Sequence, residues 1–270
     1  IREIVKVPSV TRIRLQPGTD LGYMYIAQFT RETAIDFRSA LTGLIDKNIR
    51  GLVIDLRGNP GGLLDTVVSM CSYFLDKNDL VIYTQGREKA HQKKYFAHGG
   101  LKFRDIPIVI LIDGGSASAS EILSACLHDY GKAVLVGEKS YGKGSVQTIV
   151  DLRDGSAIRF TIAKYYTKSG TPIHNVGIKP DVEIKLSKDE QKSINEVLGD
   201  LYPLDSELSE YDKEDRQLNT AISILQSIDE NGRNQEPLKI FKDNKASILE
   251  GAKKFLEVPK ADKPKGTSTE

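Results

Sequence analysis

IPIVILID (106–113) runs without a break into GGSASASEI (114–122), and this junction decides the fold. Its first half is a continuous apolar run closed by an acid, the pattern of a strand buried on both faces of an α/β sheet. Its second half is a string of the smallest side chains opening a helical stretch over 119–130. A strand that hands a small-residue turn to a helix N-terminus sets free N–H groups, and the positive end of the helix dipole, beside whatever side chain the turn presents. A serine in that place suits a nucleophile, and the same residues also suit a plain N-cap.

Working outward, the unit repeats. GLVIDLR (51–57) is a second apolar-cored strand, followed by the turn GNPGG (58–62) and a helix to about residue 75; AVLVGE (133–138) returns as a strand. Upstream, VTRIRL (10–15) and LGYMYIAQF (21–29) alternate as a strand pair feeding a helix from Thr30, as N-cap, to Lys47. LVIYTQGR (80–87) reads as a further strand. SVQTIVDL (145–152) and AIRFTIAKYYT (157–167) flank Arg153-Asp154-Gly155-Ser156, a hairpin connection with an Asp-Gly step. After Asp181 the texture becomes helical: Ser187 and Glu190 have capping-box spacing, Leu218, Ile222, Leu225 and Ile228 keep one stripe, and LKIFKDNKASILEGAKKFL (238–256) keeps another. The expected division is a linker or closing strand over 1–9, an α/β core over 10–185, a helical region over 186–258 and a polar, disordered tail over 259–270.

Composition removes several function classes. The 270 residues carry 38 Lys and Arg against 37 Asp and Glu, so no charge surplus draws the chain to nucleic acid or an anionic membrane. No stretch reaches the roughly 18 to 20 apolar residues that span a bilayer. Cys71 and Cys126 sit in apolar helical patterns, as buried thiols do. His91, His98, His128 and His174 are scattered without ligand spacing, so no metal site is expected.

A nucleophilic serine needs a base. His128 lies near the far end of the helix that Ser118 begins, roughly 15 Å along its axis, which disqualifies it. Lysine serves when burial favours its neutral form. Lys143, in Ser140-Tyr141-Gly142-Lys143-Gly144, is expected in such an apolar, backbone-tight setting.

GGSASASEI together with YGKGSVQ resembles the paired signature of the C-terminal processing, or tail-specific, serine peptidases. Ser118 and Lys143 stand 25 positions apart, the family's spacing, which singles out Ser118 and leaves Ser116 and Ser120 as structural neighbours. The resemblance implies that Gln147, four positions after Lys143, orients the lysine amine. It extends to GLVIDLRGNPGG, implying an oxyanion hole from the backbone N–H groups of Gly62 and Ala119, and to GTPIHNVGIKPDVEI (170–184). It covers about Val10 to Lys185. The family's PDZ module is not complete here, and residues 1–9 could be its last strand.

What this resemblance implies is a ClpP/crotonase-like ββα-spiral α/β core with a mainly helical C-terminal region. The implied activity is a serine endopeptidase with a Ser/Lys dyad, cutting proteins near or from their C-terminal tails through an acyl-enzyme. It implies substrates bound in extended form, no cofactor, and a bacterial periplasmic or other extracytoplasmic setting. The C-terminal helices are a candidate surface for self-association. The rival reading is a non-catalytic holder of apolar ligands on the same fold, against which the joint presence of Ser118, Lys143 and Gln147 weighs.

Overall fold

The computed structural model describes residues 8–16, 18–99, 103, 106–199, 214–231 and 236–256; the expectations for residues 1–7 and for the tail lie outside them. The strands are β1 (Val10–Leu15), β2 (Leu21–Ile26), β3 (Gly51–Asp55), β4 (Leu80–Gly86), β5 (Lys93–Phe96), β6 (Ile108–Ile112), β7 (Ala133–Gly137), β8 (Ser145–Asp151), β9 (Ala157–Tyr166) and β10 (Val182–Glu183). The helices are α1 (Thr33–Ile45), α2 (Leu64–Ser72), α3 (Ala119–Asp129), α4 (Lys188–Gly199), α5 (Arg216–Asn231), α6 (Pro237–Gly251) and α7 (Lys253–Leu256).

Six strands form the main sheet in the order β1-β2-β3-β6-β7-β10. Only the β1–β2 pair is antiparallel; β2 through β10 run parallel. The apolar runs seen in sequence are explained by two-sided burial. Leu52, Ile54, Ile108 and Ile110 meet α1, α2 and α3 in one cluster, while Val53, Val109, Leu111 and Val134 meet the C-terminal helices in another. The stripe of α5 (Leu218, Leu225, Ile228) and Phe241 of α6 belong to that second cluster. These helices therefore spend their apolar faces on the sheet, as its second covering layer.

The second sheet is antiparallel, β5-β4-β9-β8, which leaves β8 on an edge. β5 is a short, charged strand with no signal in the sequence reading. The β8–β9 connection is the expected hairpin, with Leu152 N–H donating to Ser156 O at 2.7 Å and Gly155 at φ +83°. The Ser187–Glu190 capping box is present in both directions, at 2.7 and 3.2 Å. Helix α1 begins two residues later than an N-cap at Thr30 would place it. Its N-cap is Glu32, which makes no side-chain cap, and Thr33, the first helical residue, spends its hydroxyl upstream of the helix, accepting the Thr30 N–H at 2.7 Å and donating to Gln28 O at 3.1 Å. Cys71 and Cys126 are buried and unbridged. Among the described residues no helix is long and apolar enough to cross a membrane.

One charged cluster fastens the C-terminal layer to the sheet. Arg57, 2% exposed, follows β3 and donates from Nη2 to Asp55 Oδ2 at 2.6 Å and Asp215 Oδ2 at 2.7 Å, and from Nη1 to Gln217 Oε1 at 3.2 Å. Asp215 also caps α5, accepting the Leu218 N–H at 3.0 Å. Burial alone would lower the Arg57 pKa, but Asp215 and Asp55 hold it well above its ordinary value, so the guanidinium stays charged. Removing one partner of a buried pair leaves the other charge uncompensated, at a cost of about 3–5 kcal/mol. Asp215→Ala is accordingly expected to lower the unfolding free energy by about 3 kcal/mol in urea titrations. A loss below about 1 kcal/mol would show that the cluster does not hold the layers together.

Candidate active site

The turns after β3 and β6 meet because their strands pair in parallel and end within one residue of each other, Asp55 lying opposite Leu111. Asp113 binds the two together. Its Oδ1 accepts the N–H groups of Gly58 at 2.9 Å, Gly115 at 2.9 Å and Ser116 at 3.0 Å. Ser116 Oγ donates to Leu56 O at 2.8 Å, and Ser120 Oγ donates to Asn59 O at 3.0 Å. Both serines are buried and committed to the scaffold, whereas Ser118 alone of the three is partly exposed.

Ser118 is the N-cap of α3 at φ +56°, ψ −111°. Non-glycine residues rarely take a positive φ, and holding one there costs on the order of 1–3 kcal/mol. The neighbouring turn over-determines it. A Cβ on Gly61 would stand 2.5 Å from Ala117 O, 2.7 Å from Ser118 Cβ and 2.8 Å from Ala119 N, so only glycine lets GNPGG press against the serine. Asn59, fully buried, fixes that turn by donating from Nδ2 to Ile26 O at 2.7 Å and accepting the Gly61 N–H at 2.8 Å.

Gly62 forms a parallel bridge with Phe29. Phe29 spends its N–H on Gly61 O (3.0 Å) and its carbonyl on the Leu63 N–H (2.9 Å), so the Gly62 N–H faces the opposite side. Ala119 is the first residue of α3, and its N–H has no carbonyl one turn back within the helix. Both sequence-predicted oxyanion donors thus flank the Ser118 turn.

Lys143 is brought to the same place by its backbone. Tyr141 N–H donates to Ser116 O at 3.0 Å, and Gly142 O accepts the Asn175 N–H at 2.9 Å. A Cβ on Gly144 would lie 2.7 Å from Ile173 Cβ, so the chain passes this point only as glycine. The decisive contact is one that the sequence reading did not single out. Glu121, 1% exposed, accepts four hydrogen bonds: Ser118 N–H (2.8 Å) and Lys143 N–H (2.9 Å) on Oε2, Ser140 Oγ–H (2.6 Å) and Gly142 N–H (2.7 Å) on Oε1. Its signal in the sequence was Ser118-x-x-Glu121, the capping-box spacing already recognised at Ser187 and Glu190.

One expectation is corrected. The sequence predicts an apolar setting for Lys143 that would favour a neutral amine; the backbone is tightly packed, but the Lys143 side chain is exposed. Gln147 is exposed as well, on β8 beside a register shift between Val146 and Gln147. The reason is topological: β8 is an edge strand and nothing in the described chain covers it. His128 pairs instead with Asp181 at 3.1 Å, away from the serine turn.

The sequence profile of Peptidase family S41 matches residues 20–184. The carboxy-terminal-processing protease of Bartonella bacilliformis is 40% identical over 205 residues, covering 74% of this chain and 46% of the relative. The carboxy-terminal processing protease CtpB of Bacillus subtilis is 43% identical over 168 residues, 62% of this chain and 35% of the relative. The chain thus spans about half, or less, of the curated relatives' length. Among solved structures, the photosystem II D1 C-terminal processing protease superposes with a TM-score of 0.59 at 32% identity, over 75% of this chain and 55% of that one. With the profile matched from β2 through β10 and the α/β architecture shared, this chain belongs to peptidase family S41.

Proposed function

We propose that the chain carries the catalytic machinery of a serine endopeptidase in which Ser118 is the nucleophile and Lys143 the general base. The observation that carries this reading is the shared carboxylate oxygen: the Ser118 and Lys143 amides lie 2.8 and 2.9 Å from Glu121 Oε2, which sets the two residues side by side. Ser118 is also the one accessible serine of its turn.

The chemistry follows from these positions. Lys143, as the free amine, takes the Ser118 hydroxyl proton while Oγ attacks the scissile carbonyl carbon. Negative charge gathers on the carbonyl oxygen, where the N–H groups of Gly62 and Ala119 can donate to it. Collapse breaks the C–N bond, Lys143 returns the proton to the leaving amine, and the acyl group remains on Ser118. Water, deprotonated by Lys143, then releases it. Gln147 offers its amide carbonyl to the lysine amine. Because Lys143 is exposed in the chain alone, a substrate lying over it would supply the desolvation that favours the neutral amine.

The edge of β8 begins two residues after Lys143 and offers unpaired backbone groups to an extended peptide. Its hairpin exposes Ile149, Val150, Ile158 and Phe160 beside that edge. We read the substrate as an unfolded or tail-exposed protein segment with small or apolar residues at the cut. Action near protein C-termini rests on the relatives' names, and a bacterial extracytoplasmic compartment on the family resemblance alone.

Steady-state hydrolysis of an unfolded protein tests the nucleophile. Ser118→Ala should lose at least about 10³-fold in kcat, while Ser116→Ala and Ser120→Ala keep turnover within about tenfold. Near-normal turnover in Ser118→Ala would move the nucleophile elsewhere. Lys143→Arg separates base from charge, since arginine stays protonated at any usable pH. It should be as inactive as Lys143→Ala, with losses of at least about 10²–10⁴-fold at saturating substrate. Substantial turnover in Lys143→Arg would mean that positive charge, and not proton transfer, was the role of this position.

A further inference from the structure

We infer that Glu121 is a positioning residue that makes the Ser118 turn and the Lys143 turn one mechanical unit; this rests on the Ser118/Lys143 reading above. Each carboxylate oxygen serves both segments or anchors one to α3. Oε2 holds Ser118 and Lys143 themselves, and Oε1 holds Ser140 and Gly142. The segment 140–143 is otherwise tied to the Ser118 turn by one backbone bond, Tyr141 N–H to Ser116 O at 3.0 Å. The carboxylate is therefore the principal link between the residue that attacks and the residue that takes the proton.

The strain at Ser118 gives the link a second task. With φ at +56°, the Ser118 N–H points back along the helix start, and its bond to Glu121 Oε2 at 2.8 Å holds that backbone in place. All four partners are donors, so an acceptor-only group is required on both oxygens. A glutamine at 121 would turn its NH₂ toward donors on one side or the other and must release part of one turn. An aspartate would carry the charge on a stem one methylene too short to reach both. Charge-assisted hydrogen bonds are about twice as strong as neutral ones, and a base displaced by about 1 Å can cost on the order of 10²-fold in rate.

The Ser140 hydroxyl extends the link into the next segment, since it donates to Glu121 Oε1 and accepts the Ile178 N–H at 2.7 Å. Ile178 belongs to the stretch that leads into β10. The 140–143 turn is thereby tied both to α3 and to the stretch that leads into β10.

The experiment combines kinetics with amide hydrogen exchange on the full chain. Glu121→Gln should lose about tenfold in kcat and Glu121→Ala about 10²-fold or more, with KM within about threefold and urea midpoints showing both folded under assay conditions. Exchange in Glu121→Ala should accelerate by at least about tenfold at both 116–119 and 140–143, while β3 and α5 keep wild-type protection. Loosening of both turns in a protein whose wild type hydrolyses no peptide would uphold the positioning role and reject the peptidase reading. The inference is overturned if either turn keeps wild-type protection in Glu121→Ala, if kcat is unchanged, or if the loss appears only in KM.

Discussion

The parallel pairing of β3 with β6 is the constraint from which the site descends. Because Asp55 stands opposite Leu111, the two strands end within one residue of each other and release their turns into the same space. A parallel pair needs crossover connections, so those turns open into helices α2 and α3 rather than closing as hairpins. Small residues follow as a requirement. GNPGG and GGSASAS must interpenetrate to within distances that a single Cβ at Gly61 would close, and Asp113 and Asn59 satisfy the backbone groups that this approach exposes. The general tendency of α/β sheets to place ligand chemistry beyond the carboxyl ends of their strands is met here by two adjacent turns.

The protein holds a strained serine at this point and offsets the strain with buried hydrogen bonds at the turn. Asp113 and Glu121 each place a buried carboxylate where it collects several donors, and the buried Asn59 side chain donates to one backbone group and accepts from another. Arg57 links the same region to the far layer, joining the end of β3 to the N-cap of α5 through Asp55 and Asp215. The burial and the nearby Asp55 carboxylate also push the Tyr23 hydroxyl pKa well up, so it remains a donor to Asp55 at 2.8 Å. The result is a sheet whose two faces are fixed near the strand ends that carry the site.

Much of this was legible in the sequence, and the reasons are physical. β3 and β6 announce themselves as unbroken apolar runs because both faces are buried, and the glycine-rich turns announce close approach. Ser118 stood out from Ser116 and Ser120 through its spacing to Lys143, and the structure adds why the neighbours differ: both spend their hydroxyls on the β3 turn. What stayed hidden was long-range. Asp215 reaches Arg57 from 158 positions away, and Glu121 joins segments about twenty residues apart, so neither could be paired from local pattern alone. The exposure of Lys143 was missed because flanking glycines report a tight backbone and say nothing of whether an edge strand is covered. The start of α1 was misplaced because its N-cap, Glu32, makes no side-chain cap, so the hydroxyl at Thr30 did not mark the boundary.

The most direct test of the central claim is the covalent one. An activated aryl ester of a short apolar peptide, mixed with the protein and quenched in acid before the first turnover is complete, should leave an acyl group whose mass is found on Ser118 by peptide mapping. The account predicts that adduct at Ser118 and nowhere else, and its absence in Lys143→Ala under the same quench. Ester turnover without any adduct at Ser118, or an adduct on another residue, would contradict it.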